Sequence, residues 1–245
     1  MTDFKVTAEV ATVWTSPDAP RLVDEPALRD RPDLAAWTTA LDSKARFGLH
    51  GRTLTQLLRD EPVEILDHGP DGWVRVAAPW QPAPEHTGGY PGWVRAAHLG
   101  DETGPRHDRP ADERPSGSVR RDRLAVLAEA RRFVGLRYLW GGLSPYGFDC
   151  SGLVHYAYRQ AGLVVPRDAD AQANACEPVA LGSERPGDLY FFARQNDRVF
   201  HVGFVTGERV MLHAPEGGGR IEDAPLSPER VATLVAGGRF DSAFG

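Results

Sequence analysis

Cysteine is scarce, with two residues in a chain of 245, at positions 150 and 176. Two thiols cannot make a disulfide framework for a chain this long, so a stapled secreted scaffold is excluded. Basic residues are also in deficit, 28 Lys and Arg against 34 Asp and Glu, for a net charge of -6. That balance gives no electrostatic hold on nucleic acid or on an anionic membrane surface, so neither is an expected partner. Long apolar runs are missing, and none reaches the length of a membrane span. The opening MTDFKVTAEV has no cationic n-region and no apolar h-region, so no secretory signal is visible and a soluble, cytoplasmic protein is expected. Aliphatic residues almost vanish from 101–120, DETGPRHDRPADERPSGSVR. A charged, Pro- and Gly-rich stretch of that kind cannot bury a core and reads as a linker.

The linker divides the chain into 1–100 and 121–245, two parts of ordinary domain size. In the first, EVATVWTS (9–16), EPVEILDHG (61–69), GWVRVAA (72–78) and GWVRAAHL (92–99) carry the alternation or β-branching of strands. GPDG at 69–72 is a turn between two of them. Within 21–60, LAAWTTAL and GRTLTQLLRD look helical. The expectation is a small antiparallel β-barrel with a helical insertion around 21–60. In the second part, RDRLAVLAEARRFVG (121–135) and SGLVHYAYRQAG (151–162) read as helices closed by Gly135 and Gly162, and ADAQANAC (169–176) as a third. DLYFFA (188–193), HVGFVTG (201–207), RVMLHAP (209–215) and GRIEDAPL (219–226) follow as closely spaced strands. Helices followed by an antiparallel sheet make the fold class α+β.

Cys150 stands where the second helix begins. A free cysteine is commonly just a small buried residue, but a helix N-terminus favours the thiolate, the nucleophilic form. His201 opens one strand and His213 sits near the end of the next, across the turn at 207–208. In an antiparallel pair the start of one strand lies beside the end of its partner, so these two histidines are expected to be neighbours. One would serve as base to the thiol and the other would orient it. The set is chemically complete, although any of the eight histidines could be structural.

The stretch GLRYLWGGLSPYGFDCSGLVHYAYRQAG, followed by RPGDLYFF, HVGFVTG and VMLHAP, resembles the NlpC/P60 family of cell-wall peptidases throughout 121–226. The elements Tyr-x-Trp-Gly-Gly, Asp-Cys-Ser-Gly, Pro-Gly-Asp-Leu and His-Val-Gly occur in order. The resemblance implies a papain-like fold with Cys150 as nucleophile, His201 as general base, His213 as the orienting residue, and neither metal nor cofactor. It implies that Tyr138 joins the Cys150 amide in an oxyanion hole. The first part, most legibly GYPGWVRAAHL (89–99), resembles a bacterial SH3-like domain. Together the two parts resemble γ-D-glutamyl-L-diamino acid endopeptidases of cell-wall peptide recycling. The implied substrate is a murein peptide, L-Ala-γ-D-Glu-diamino acid, with a free N-terminal L-alanine. Asp149 and Ser151 are then implied to contact it, while Tyr90, Glu61 and Asp168 surround its amine, since a buried ammonium needs a carboxylate. This chain departs from its relatives at Ala169, where Ser is frequent, and shows one SH3-like domain where some have two.

Three rival readings stay open: a peptide-binding module on an inactive peptidase fold, a structural zinc site of Cys150, His201, His213 and Cys176, and an amidase or acyltransferase acting on another amide or thioester. Elsewhere the expectations are plain. Cys176 is a partly buried helix residue, Trp73 and Trp93 belong to the barrel core, and Trp140 packs beneath the site. His155 is a satisfied core histidine, and His50, His68, His86, His98 and His107 are solvated.

Overall fold

β-branched and alternating residues build the N-terminal half, and burial of one face decides their pairing. The computed structural model describes residues 4–101, 123–194, 198–216 and 219–240. Of the expected linker at 101–120, all but Asp101 lies outside the described residues, and so does His107. Seven strands, β1 (Phe4–Val6), β2 (Val10–Trp14), β3 (Thr53–Leu58), β4 (Pro62–His68), β5 (Trp73–Ala78), β6 (Tyr90–Arg95) and β7 (Leu99–Asp101), form one sheet in the order β3-β2-β6-β5-β4-β1-β7. Every pairing is antiparallel. Val6, Val13, Leu57, Val63, Val76 and Val94, from six of these strands, meet in one buried cluster, so the sheet curls around its own core.

GRTLTQLLRD, expected as helix, is the strand β3. Leu54, Leu57 and Leu58 sit at helical spacing, but β-branched Thr53 and Thr55 favour a pleated surface. Antiparallel pairing with β2 (Ala11↔Leu57, Val13↔Thr55) then settles the matter. His98, expected in water, is buried, with Nε2 2.7 Å from the Arg29 carbonyl. The helical excursion is real but shorter: α1 (Glu25–Leu28), α2 (Leu34–Ala40) and α3 (Ser43–Phe47) lie between β2 and β3. Asp33 and Asp42 cap α2 and α3 by accepting from Ala36 N and Ala45 N. Their apolar faces place Leu34, Trp37 and Leu41 against Trp14 and Trp73, with Leu139 of the C-terminal half in the same cluster.

The C-terminal half opens with α4 (Arg123–Arg131), whose last turn tightens through i→i+3 bonds before Gly135, four residues past the helix end. A two-stranded piece, β8 (Leu143–Ser144) and β9 (Gly147–Phe148), leads into α5 (Cys150–Gln160), and α6 (Ala169–Ala175) follows. The second sheet has the order β10-β15-β11-β12-β13-β14, from β10 (Glu177–Val179), β11 (Leu189–Ala193), β12 (Val199–Gly207), β13 (Val210–His213), β14 (Glu222–Pro225) and β15 (Leu234–Arg239). A short helix α7 (Pro228–Thr233) precedes β15, and neither it, β10 nor β15 was legible as an element. Leu153, Val154, Ala157 and Tyr158 of α5 pack on Leu189, Phe191, Val202 and Phe204 of the sheet. The class is α+β, as expected.

Polar bonds join the halves along β3. Thr53 Oγ1 donates to the Trp140 carbonyl at 3.0 Å, and Trp140 Nε1 donates back to Thr53 O at 3.2 Å. Gln56 Oε1 accepts from Leu143 N and Ser144 Oγ at 3.0 and 2.7 Å. These groups are buried, so each bond also averts an unsatisfied polar atom.

Candidate active site

The position of Cys150 follows from its neighbours in sequence. Asp149 is the N-cap of α5 and accepts from Gly152 N at 2.6 Å, which makes Cys150 the first helical residue. Gly152 has a steric reason: a Cβ there would lie 2.1 Å from the Gly142 carbonyl oxygen, so only glycine lets the helix start reach that loop. Cys150 is 7% exposed. The helix N-terminus was expected to favour the thiolate, yet burial acts the other way. With Asp149 and Glu216 adding negative charge nearby, burial pushes the thiol up to about 12, against bonds from the backbone amides of Val202 and Ser151. Both influences favour the neutral thiol.

His201, on β12, and His213, at the end of β13, are brought together as the hairpin predicts: His201 Nε2 is 2.8 Å from His213 Nδ1. Gly203 makes the room, since a Cβ there would meet His213 Cβ at 2.9 Å. Behind His213, its Nε2 lies 3.3 Å from Glu222 Oε1. In the tautomer with the His213 proton on Nε2, toward Glu222, His213 Nδ1 receives His201 Nε2–H. His201 Nδ1 then keeps a free lone pair. Among the described residues that buried atom has no hydrogen-bond partner, and donor atoms of Cys150, His201 and Glu216 lie within 4.8 Å of one another.

Burial pushes both imidazoles down, His201 well below 6.5 and His213 to about 4, and the Arg230 charge adds to it in each case. Protonated His201 cannot accept from the thiol, so activity should fall on acidification through a midpoint below 6.5. Arg230→Gln removes a cation that disfavours imidazolium, so it should raise both values and move that acid limb toward higher pH. A kcat/KM profile of the two proteins checks this, and superimposable limbs would contradict it.

The remaining expected residues divide. Tyr90 and Asp168 are together: Tyr90 Oη donates to Asp168 Oδ2 at 2.9 Å, from the N-terminal sheet to the start of α6. Burial, ahead of any charge, pushes the Asp168 carboxyl up, although Arg167 pulls the other way. Asp149 is not free for a ligand in the way expected. Its oxygens accept from Arg167 Nη1 and Nη2 at 3.0 and 2.6 Å, from Gly141 N at 3.0 Å and from Gly152 N. Ser151 Oγ accepts from the same Arg167 at 3.0 Å. Glu61 is not brought to the site. Fully buried, its carboxylate accepts from Arg159 Nη1 at 2.6 Å, Gln81 Nε2 at 2.9 Å and Leu58 N at 3.0 Å. It ties the N-terminal sheet to α5, the nucleophile's helix. Tyr138 is buried, and its hydroxyl is held well above the usual range by burial, with Cys150 and Asp149 nearby.

Cys176 Sγ donates to Ala173 O at 3.4 Å and stands outside the Cys150 group, so the four-ligand structural zinc site is not assembled. His155 Nδ1 bonds Val165 O at 2.7 Å inside the core. Trp140, expected beneath the site, packs between the two halves and stacks on exposed His50, with ring centroids 3.7 Å apart.

The NlpC/P60 family matches residues 135–235, which hold every member of this constellation from Tyr138 to Glu222. A protein of Bacillus subtilis (strain 168) named γ-D-glutamyl-L-lysine dipeptidyl-peptidase is 30% identical over 277 residues, covering 91% of this chain and 93% of that one. The chain belongs to the NlpC/P60 family. A protein of the same name from Bacillus cereus (strain ATCC 10987 / NRS 248) is 28% identical over 96% of this chain and 89% of its own. The crystal structure of an NlpC/P60 family protein from Bacillus cereus ATCC 10987 has a TM-score of 0.86, covering 98% of this chain and 99% of that one, at 24% identity. That likeness shows a shared fold over both halves. As an NlpC/P60 protein with an intact cysteine and histidine pair, this chain is a cysteine endopeptidase.

Proposed function

We propose that this peptidase hydrolyses the γ-D-glutamyl-L-diamino acid bond of cell-wall peptides that carry a free N-terminal L-alanine. The relatives named for γ-D-glutamyl-L-lysine, aligned over nine tenths of the chain, support the bond. The observation that carries the free amine is the Tyr90–Asp168 hydrogen bond, which sets a carboxylate and a phenol from the two halves side by side. In this reading residues 1–100 are an SH3-like domain with the 21–60 insertion, residues 121–245 are the peptidase domain, and the former walls one end of the cleft.

Chemistry starts from the neutral pair. As Cys150 Sγ attacks the γ-carbonyl carbon, its proton passes to His201 Nδ1, and the Nε2–H bond to His213 holds the imidazolium that forms. The developing oxyanion takes hydrogen bonds from the Cys150 amide and Tyr138 Oη, which burial keeps protonated. His201 then protonates the leaving amine, and water, deprotonated by the same nitrogen, hydrolyses the thioester. Asp149 and Ser151 act through Arg167, fixing the start of α5, while Ala169 turns its methyl into the core and adds no polar group to the pocket.

A bound ammonium beside Asp168 would replace the Tyr90 phenol as its main partner and hold the substrate in register with Cys150. N-acetylation of the L-alanine removes that charge and adds bulk, so kcat/KM should fall by more than about tenfold, or 1.4 kcal/mol. Tyr90→Phe should keep cleavage but lose part of this preference. Mass spectrometry of digests of free and acetylated L-Ala-γ-D-Glu-diamino acid peptides checks it, with purified sacculi as a third substrate. Equal cleavage of the two peptides would end the amine-pocket reading. Efficient release from cross-linked sacculi would end the proposed cytoplasmic role in recycling.

A further inference from the structure

Glu216 has no part in the catalytic steps above, yet its carboxylate sits with the reacting atoms. One oxygen of Glu216, one His201 nitrogen and Cys150 Sγ lie within 4.8 Å of one another. Since His201 Nε2 is engaged by His213, the nitrogen left for this group is Nδ1, which is buried with no hydrogen-bond partner. Among the described residues, Glu216 likewise carries no side-chain hydrogen bond or ion pair. Thiolate, imidazole and carboxylate are the three ligand types that zinc takes from proteins, commonly three at a time with water in the fourth position. A ligating histidine is usually held through its other nitrogen by a polar partner, and His213, backed by Glu222 at 3.3 Å, already supplies that hold.

We propose that Cys150 Sγ, His201 Nδ1 and the Glu216 carboxylate form an inhibitory site for a borderline-soft divalent cation, zinc being the fit. Binding exchanges the thiol proton for the metal and releases it to solvent, with no change of oxidation state. Nucleophile and base are then tied up as ligands of one ion, so hydrolysis stops until a chelator removes it. Thiolate and carboxylate together offset the ion's two positive charges, which matters because Arg230 and Arg194 both act on Glu216 and oppose a cation. Hard cations gain little here, since magnesium and calcium prefer oxygen ligands alone.

The test begins with metal-free full-length protein titrated with zinc by calorimetry, with magnesium and calcium as comparisons. A saturable one-to-one zinc complex is expected, and none with the other two. Cobalt in place of zinc should give a near-ultraviolet thiolate-to-cobalt charge-transfer band that is absent in Cys150→Ala and intact in Cys176→Ser. Zinc should protect Cys150 from iodoacetamide, and EDTA should restore both labelling and hydrolysis. Glu216→Gln should weaken zinc binding by about tenfold or more, read by calorimetry on protein whose far-UV spectrum is unchanged. No saturable zinc complex, a cobalt band that survives Cys150→Ala, or a band lost in Cys176→Ser would overturn the site. Unweakened zinc binding by Glu216→Gln, or by Glu216→Ala should the first variant not fold, would overturn the three-ligand assignment.

Discussion

Cys150→Ala is expected to yield a folded protein with peptide hydrolysis lowered by about a millionfold, to background. The side chain is 7% exposed at the first position of α5, where alanine is a good helix former, and only one sulfur atom is lost. Without the sulfur no acyl-enzyme forms, and the remaining groups can only bind and polarise substrate. His201→Ala should fall nearly as far, because the imidazole that takes the thiol proton and returns it to the leaving amine is gone. His213→Gln should be milder, since an amide oxygen can still accept from His201 Nε2–H. Iodoacetamide should inactivate the wild-type protein. Mass spectrometry of peptide digests with matched amounts of each variant reads all of these, and undiminished turnover by Cys150→Ala would sink the catalytic assignment.

Arg167→Met is expected to cost about 3–5 kcal/mol of stability, the price of a buried ion pair broken on one side. Arg167 is 1% exposed and bonds both Asp149 oxygens, Ser151 Oγ and, from the other half of the molecule, Thr55 Oγ1 at 2.7 Å. Thr55 in turn donates to Gln81 Oε1 at 2.6 Å, and Gln81 Nε2 donates to Glu61, the partner of Arg159. Removing the guanidinium leaves Asp149 charged and buried at the N-cap of the nucleophile's helix, and leaves Thr55 Oγ1 without its charged donor. The melting temperature should drop by roughly 10 °C, and activity should fall as well because Asp149 sets the start of α5. Replacing both partners, Arg167→Met with Asp149→Leu, should recover much of the stability and none of the activity, because no charge is stranded but the cap is gone. Calorimetric melting of the single and double variants distinguishes this from a simple cavity. An unchanged melting temperature in Arg167→Met would show that the pair contributes nothing.

The placement of Cys150, His201 and His213 was legible because its determinants are local. Asp149, Cys150 and Gly152 are contiguous with the helix they start, and the short turn at Gly207–Glu208 leaves His201 and His213 little choice but to meet. Glu222 carried a signal too, but a weaker one. It faces His213 in the β13–β14 register, which can be predicted only once the length of the intervening loop is known. Glu216 and Arg230 gave none, since each reaches the site from a segment whose course depends on packing.

Misreadings arose wherever a local preference met a distant partner. GRTLTQLLRD has leucines at helical spacing, and only the neighbouring β2 makes it a strand. Glu61 was expected beside a ligand's ammonium. The cation it faces is Arg159, 98 positions away, because a buried carboxylate takes whichever positive charge the fold brings. The thiol was expected to be stabilised as its anion by the helix N-terminus, and burial together with the charges of Asp149 and Glu216 pulls it the other way. Sequence alone determined the α+β class, the place of Cys150 at the start of its helix and the histidine hairpin, because hydrophobic period, capping and turn chemistry act over a few residues. Tertiary structure alone decided the upward pull of burial on the thiol and the partners of Asp149 and Glu61, because burial and ion pairing depend on groups that only folding brings within a few ångströms.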